Sequence, residues 1–243
     1  MSRREEFPVT QWTLVRAAGA DANDSARRDA LGRLLRRYLP AMEAHLGQKR
    51  LPHDRVADLL QGFVSDKIVE QNLLARADRE RGRFRTFLLT SLQHYVIDQF
   101  RQDSSSRRSP EGGPPASIAS GAEPAVMGKP AEAFDIEWAR QLLNETLQRM
   151  RAHCESTGRH DLWQIFEERV LKATMEGDEP AAYEELAARF KLDTTAQAAN
   201  LLVTAKRMYA RVLRSVIAEY ARDEEDVEQE ISDLHTILAA VRG

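Results

Sequence analysis

Apolar residues recur every three or four positions along most of this chain, and that spacing is what most restricts its fold. It is clearest between Arg83 and Arg101, where one continuous stripe contains Phe84, Phe87, Leu88, Leu92, Tyr95, Val96 and Phe100. This period is that of an amphipathic α-helix with one face in a core. Ala, Leu, Arg and Glu are prominent and β-branched residues are sparse, which favours helix over sheet. The sequence therefore predicts an all-α protein.

Two further helices are predicted before this one. The first keeps the same apolar spacing from Leu31 to Leu46. The second follows a break at Pro52, has Asp54 as a candidate cap, and keeps an apolar face as far as Ile68. Three such helices predict a compact first domain over residues 29–102, preceded by an N-terminal extension over residues 1–28.

Residues 103–133 separate this domain from the rest of the chain. They are rich in Ser, Pro, Gly and Ala and largely lack big apolar side chains, so they predict a flexible linker. Helical spacing resumes at Phe134, which predicts a second small helical domain over residues 134–220. The remaining residues, 221–243, predict an acidic C-terminal helix, interpreted as a solvated helix that closes the second domain.

The segment from Tyr183 to Tyr220 predicts a helix-turn-helix motif. Leu186, Phe190 and Leu192 are expected to fill the core between its two helices, and Ala187 supplies the small residue that a sharp crossing needs. Lys191 stands at the turn position where glycine is usual. The second helix begins after an N-cap at Asp193 or Thr194, and its start faces outward. The candidate DNA contacts of this helix are Thr194, Thr195, Gln197, Asn200, Lys206 and Arg207.

Charge is unevenly distributed along the chain. The net charge of −3 argues against a protein that coats nucleic acid indiscriminately. Basic residues nevertheless outnumber acidic ones between Arg79 and Arg108, and the acidic residues concentrate between Asp223 and Glu230. The pattern predicts a local anion-binding face on a nearly neutral body.

Several function classes lack the residues they need. The one cysteine, Cys154, rules out an internal disulfide and a cysteine-cluster metal site, and the six histidines are scattered. No glycine-rich phosphate loop, serine nucleophile elbow or clustered carboxylate set occurs, so we expect neither catalysis nor a metal or cofactor. Without an apolar run of about 20 residues or a signal-like start, the chain is expected to be cytoplasmic, with no membrane partner.

The order of these pieces resembles the extracytoplasmic-function class of RNA polymerase sigma factors. The second helix is similar to the pattern Asp-Leu-x-Gln-Glu-x-Phe of that family at Asp58, Leu59 and Gln61, and Phe63 lies one position before the Phe of the pattern. The third is similar to its Phe-Arg-x-Trp-Leu and Ile-Asp-x-x-Arg patterns at Phe84, Arg85, Phe87, Leu88, Ile97, Asp98 and Arg101. The run Tyr183–Ala187 is similar to the entry of the second family domain, and Phe7, Thr10 and Trp12 fit the start of a long-chain subgroup.

The resemblance implies a sigma factor that binds core RNA polymerase and promoter DNA, with the two domains as sigma regions 2 and 4. The implied polymerase contacts are Asp58, Leu59, Gln61, Phe63 and Asp66. The implied contacts with the −10 promoter element are Arg83, Arg85, His94, Asp98, Gln99 and Arg101. The helix-turn-helix candidates, from Thr194 to Arg207, would then contact the −35 element.

The chain departs from the family pattern in the polymerase-docking helix. Gly62 replaces the usual Glu, and Arg55 and Ala57 stand where acids are common. One hypothesis is that a phosphate on Ser65, with nearly two negative charges, restores the missing charge. A Ser/Thr kinase is then a further partner, and an anti-sigma protein is another that the family allows.

Two other functions fit the same sequence. One is a helix-turn-helix regulator that binds DNA without polymerase and uses its first domain as a sensor or dimerisation module. The other is a helical protein-interaction adaptor. It is favoured by the acidic tail, where apolar residues alternate at steps of four and three: Val227, Ile231, Leu234, Leu238 and Val241.

Overall fold

The structure is a computed structural model that describes residues 13–20, 25–77, 82–106, 130–175 and 179–242. Every regular element in these ranges is a helix, which confirms the predicted all-α class. The predicted contribution of Phe7, Thr10 and Trp12 lies outside the described residues, and so does most of the predicted linker. Of that linker, residues 103–106 and 130–133 are helical.

The first half of the described chain contains four α-helices: α1 (Thr13–Gly19), α2 (Ser25–Gly47), α3 (His53–Gly62) and α4 (Phe84–Ser106). A π-helical segment, Phe63–Glu70, continues α3, and a 3-10 turn covers Leu73–Arg76. The predicted cap at Asp54 is wrong: Pro52 is the N-cap residue, and Asp54 lies in the first turn of α3. A proline there has no N–H to satisfy, as suits the start of a helix.

The second half contains six α-helices: α5 (Pro130–Ser156), α6 (His160–Phe166), α7 (Lys172–Met175), α8 (Tyr183–Arg189), α9 (Thr195–Ala218) and α10 (Glu224–Arg242). A π-helical segment, Glu167–Leu171, joins α6 to α7. Gly158 ends α5 in the left-handed region at φ +67°, where glycine carries no steric cost. None of the described helices is long and apolar enough to cross a membrane.

The chain divides into two compact units, which differ in extent from the predicted domains. The first unit comprises residues 1–141 and 218–243, and the second comprises residues 142–217. Helix α1, expected in an extension, belongs to the first unit, where Leu14 and Val15 are buried. The C-terminal helix α10 also belongs to the first unit, so the expectation that it closes the second domain is wrong.

The core of the first unit is aromatic at its centre. The Tyr38 ring contacts the rings of Phe84, Phe134 and Tyr220 at centroid separations of 5.3, 6.5 and 6.2 Å. Edge-to-face and offset contacts of this kind stabilise a core beyond the area they bury. Residues from α2, α4, α5 and the chain just before α10 therefore share one core, and Val227 and Leu234 of α10 are also buried in this unit.

The second unit packs around the pair α8 and α9. Its buried residues include Met150, Cys154, Leu162, Ile165, Phe166, Leu186, Ala198, Leu202 and Ala205. Phe190, Leu192 and Leu201 pack against that cluster, as the sequence predicts for a helical hairpin. Ala187 is also buried, at the position where the sequence requires a small residue.

Candidate nucleic-acid interface

The connection between α8 and α9 has the tight geometry of a helix-turn-helix. Lys191 adopts the left-handed conformation at φ +54°, although a side chain is disfavoured there. Leu192 N–H donates to Ala187 O at 2.8 Å, and Lys191 N–H donates to Ala188 O at 3.3 Å. This pair of bonds is a Schellman motif, which normally has glycine at the position of Lys191. The turn thus forms without its usual glycine.

Thr194 caps the second helix, which resolves the sequence-based choice between Asp193 and Thr194. Its Oγ1 accepts a 3.2 Å hydrogen bond from Gln197 N–H. The Gln197 side chain turns back over the cap, where its Oε1 accepts from Asp193 N–H at 2.9 Å and its Nε2 donates to Asp193 Oδ2 at 3.3 Å. Because these bonds hold the amide at the turn, Gln197 orders the start of α9.

The outward face of α9 presents polar and basic side chains. Thr195 and Asn200 are exposed near its start, and Lys206 and Arg207 are exposed farther along. Ala198, Leu202 and Ala205 occupy the opposite face and are buried in the core of the second unit. Short polar groups followed by cations suit contact with base edges and then with phosphates.

Helix α4 also presents an exposed face. Four residues of this face are predicted DNA contacts, and they differ in accessibility. His94, Asp98 and Arg101 are exposed at spacings of four and three, and Gln99 is half-buried. Asp98 lies 3.8 Å from Arg101 in an exposed ion pair. Such a pair contributes little stability, so the Arg101 guanidinium exchanges partners readily.

Arg83, directly before α4, and Arg85, in its first turn, lie against the acidic helix α10 instead. Arg83 Nη1 donates a hydrogen bond to Asp233 Oδ2, and Arg85 Nη2 donates to the same oxygen at 2.7 Å. Arg85 Nη1 also donates to Asp135 Oδ1 at 2.6 Å, and its guanidinium lies 4.3 Å from the centre of the Trp138 ring. The structure therefore pairs both arginines within the chain, and Arg85 is buried as well.

Glu230 is the most deeply buried acid of this cluster. Its oxygens lie 3.8 Å from Arg83 Nη1 and 3.7 Å from Arg85 Nε, beyond hydrogen-bond range. Burial raises the pKa of Glu230 to about 7, even though both arginines act to lower it. For Asp233 burial also acts upward, but hydrogen bonds from Gln229 and Arg83 bring its pKa below the ordinary value.

The predicted polymerase contacts on α3 and the following π-helical segment divide into two groups. Asp58 and Gln61 are exposed, whereas Leu59 and Phe63 are buried in the first unit. Ser65 is exposed on the same side as Asp58 and Gln61, since the three are spaced by three and four residues. An open groove beside them, of about 540 Å³, is lined mainly by apolar atoms of Leu39, Leu60, Gln61, Val64, Ser65, Val69 and Glu70.

Asp66, the remaining predicted contact, is held by Tyr95 of α4. Tyr95 Oη donates to Asp66 Oδ2 at 3.1 Å, and the Tyr95 ring packs on Phe63 at 5.7 Å between centroids. Burial, together with the Asp66 carboxylate, raises the pKa of Tyr95 to about 12. A Cβ atom on Gly62 would overlap the Tyr95 hydroxyl. This contact leaves no room for a side chain at position 62, where the family that the sequence resembles has Glu.

Arg55, another departure from the family pattern, has a partner within the first unit. Its Nη2 donates a hydrogen bond to Asp103 Oδ2 of α4, and its guanidinium lies 5.9 Å from the centre of the Phe100 ring. The arginine joins α3 to the later turns of α4. An acid at position 55 would place two negative charges together.

The acids that face Arg83 and Arg85 were not predicted from the sequence. Asp226, Glu230 and Asp233 are spaced by four and three residues, so they share one side of α10. Each directly precedes an apolar position of the tail: Val227, Ile231 or Leu234. An acid next to an apolar position of the stripe indicates that it lies at the edge of a buried face. The sequence does not indicate which element packs against that face.

Comparison of the chain with protein-family models, with curated proteins and with solved structures gives no match. Among the residues that the structure describes, no group of three His, Cys, Asp or Glu side chains is arranged to hold a metal ion. The described surfaces are those of two compact helical units, one with a helix-turn-helix hairpin and the other with a groove beside an exposed polar helix face.

Proposed function

We propose that this chain is a sigma-type transcription initiation factor that binds core RNA polymerase and directs it to promoter DNA. The observation that carries the proposal is the helix-turn-helix hairpin of α8 and α9. Its second helix starts at a side-chain cap and exposes Thr195, Asn200, Lys206 and Arg207, while its other face is buried. A helix of this kind enters the DNA major groove by its first turns.

A DNA-binding hairpin does not by itself require RNA polymerase as a partner. The support for polymerase binding comes from the first unit. Asp58, Gln61 and Ser65 form an exposed polar face beside the groove lined by Leu60, Val64 and other residues. A mainly apolar groove with a polar border suits a helical protein partner. On this proposal the buried Leu59 and Phe63 shape the docking face from within.

The exposed face of α4 supplies the third contact of the proposal. His94, Asp98 and Arg101 would meet the −10 element, with Gln99 at the border. The adaptor alternative loses its main support, because Val227 and Leu234 of the tail are buried within the chain itself. The regulator alternative stays open as an outcome of the experiment below.

The proposal is tested by run-off transcription with purified bacterial core RNA polymerase on a library of promoter fragments. A sigma-type factor yields defined start sites only when the chain and the core enzyme are both present. Sequence-specific binding by the chain alone, with no transcription, would support the regulator alternative instead. Start sites should be lost in a Thr195→Ala, Asn200→Ala variant and kept in Ser215→Ala, an exposed substitution later in α9.

Docking is tested separately with matched glutamine substitutions. Gln61→Arg should weaken core binding because it places a bulky cation on the docking face, whereas Gln148→Arg changes an exposed helix position in the second unit. Equal binding by the two variants would exclude the proposed face.

The proposal also includes the hypothesis of a phosphate on Ser65, which lies exposed on this docking face. A phosphoryl group there would add nearly two negative charges. Ser65→Asp should then bind core polymerase more tightly than Ser65→Ala. Identical affinities for these two variants would remove phosphorylation from the proposal.

A further inference from the structure

We infer that the acidic helix α10 is an autoinhibitory cover that occupies Arg83 with carboxylates and withholds it from the phosphates of nucleic acid. This inference rests on the proposed function, because a cover needs a nucleic acid to exclude. The observation that supports it independently is the contact between the start of α4 and one side of α10.

The contacts of Arg83 distinguish it from Arg85. Among the residues that the structure describes, the carboxylate partners of the Arg83 guanidinium belong to α10: it bonds to Asp233 and lies 3.8 Å from Glu230 and 3.9 Å from Asp226. Arg85 has a further carboxylate on α5, Asp135, and packs on the Trp138 ring. If α10 moves away, Arg85 keeps partners in the body of the unit and Arg83 keeps none of these.

The exposed fractions of the two side chains also distinguish Arg83 from Arg85. The Arg83 side chain is 30% exposed, whereas that of Arg85 is 10% exposed. Arg83 also directly precedes α4, the helix whose outward face carries His94, Asp98 and Arg101. A freed guanidinium at this position is suited to a phosphate contact, since Arg binds phosphate and carboxylate oxygens with the same geometry.

The side of α10 that covers Arg83 is poorly suited to permanent docking. Asp226 and Glu230 are both buried, and taking carboxylates out of water offsets much of what their ion pairs contribute. Burial raises the pKa of Glu230 to about 7, which reflects that cost. Only Val227 and Leu234 of the tail stripe are fully buried, so the apolar contribution is limited.

Asp233 is the residue on which the cover depends most. Its Oδ2 accepts from both arginines, and its pKa lies below the ordinary value, so its charge favours the docked state. Asp233→Asn in the full chain should therefore release Arg83. Glu225→Gln is the matched control, because it removes one negative charge from an exposed position of the same helix.

The test measures binding of a fluorescent single-stranded oligonucleotide at about 0.1 M salt, by the free chain and by its complex with core polymerase. One additional phosphate contact should raise the affinity of Asp233→Asn roughly five- to tenfold and steepen the dependence of log affinity on log salt by about 0.7 units of slope. Glu225→Gln should bind the oligonucleotide with the same affinity as the unmodified chain. Adding Arg83→Gln to Asp233→Asn should abolish the gain.

A second measurement needs no substitution. Amide hydrogen exchange of residues 224–242 in the unmodified chain should accelerate when the oligonucleotide is added, because α10 leaves the start of α4. Unchanged exchange with the oligonucleotide bound would overturn the inference. So would equal affinities of Asp233→Asn and Glu225→Gln in both formats, or a gain that persists after Arg83→Gln.

These outcomes are separable from the fate of the proposed function. Transcription with no difference between Asp233→Asn and Glu225→Gln would keep the sigma-type function and reject the cover. A gain in affinity that depends on Arg83, without any transcription, would keep the cover and reject the sigma-type function.

Discussion

Arg85 donates a 2.7 Å hydrogen bond from Nη2 to Oδ2 of Asp233, which lies 148 residues later in the chain. The bond joins the first turn of α4 to the acidic helix α10 within one compact unit. It also buries an arginine that the family resemblance assigns to promoter DNA. The energetic consequences of this arrangement can be measured directly.

Replacing Arg85 should be far more costly than replacing Arg101, although both belong to α4. Arg85→Ala leaves Glu230 and Asp233 with one cation fewer in a buried cluster, and such a break typically costs about 3 to 5 kcal/mol. Arg101→Ala removes an exposed side chain and should change the free energy of unfolding by less than about 0.5 kcal/mol. Urea unfolding measures both values, and equal losses would contradict the burial of Arg85.

The stability of the first unit should depend on pH through Glu230. Its pKa is about 7 in the folded chain and 4.5 ordinarily, so the folded state holds a proton that the unfolded state has released between these values. The contribution of Glu230 to the free energy of unfolding is therefore most favourable at low pH. It falls as pH rises from about 4.5 through about 7 and stays constant above pH 7. The whole change amounts to about 3 kcal/mol.

Glu230→Gln isolates that dependence, because histidines and other groups titrating in the window are common to both proteins. The charged and titratable groups that interact with Glu230 are Arg83 just before α4, Arg85 in α4, Asp226 and Asp233 from its own helix, Tyr38 from α2, and Tyr220 before α10. The difference in unfolding free energy between the two proteins should grow in favour of Glu230→Gln from pH 5 to pH 8. A difference that stays constant across this range would refute the prediction.

Gly62→Ala should destabilise the first unit by about 1 to 3 kcal/mol, because the new methyl group overlaps the Tyr95 hydroxyl in a packed region. In a Tyr95→Phe background the same substitution should cost less, since the hydroxyl is gone. Thermal or urea unfolding of the four proteins gives the coupling energy. Gly47→Ala is the control: open space surrounds that position, and the expected effect is neutral or slightly stabilising.

The same change, lysine to glycine, should have opposite signs at two positions of the second unit. Lys191→Gly relieves a left-handed residue with a side chain and should stabilise the unit by about 0.5 to 1 kcal/mol. Lys206→Gly places glycine inside α9 and should destabilise it by about 1 kcal/mol. Unfolding monitored through Trp163 reports on this unit. Destabilisation by Lys191→Gly would contradict the turn geometry described above.

Local features of the structure followed from the sequence because they depend on neighbours within a few turns. The apolar spacing predicted α2, α3, α4 and the pair α8 and α9, and it predicted Leu186, Phe190 and Leu192 at the core of the hairpin. Thr194 was one of two caps consistent with the sequence. Helical period, capping and turn chemistry are properties of a short segment, so they can be inferred without knowing what the segment packs against.

The tertiary structure decided which charged residues face water. Arg83 and Arg101 both look like exposed cations in the sequence, yet one is paired with Asp233 and the other lies on an open face. The acidic tail belongs to the first unit and not to the one that precedes it in the chain. Ion pairs between residues about 150 positions apart leave no periodic signal in either segment. The local sequence therefore determines the helices of this protein, whereas long-range packing determines which of its arginines are free to contact a ligand.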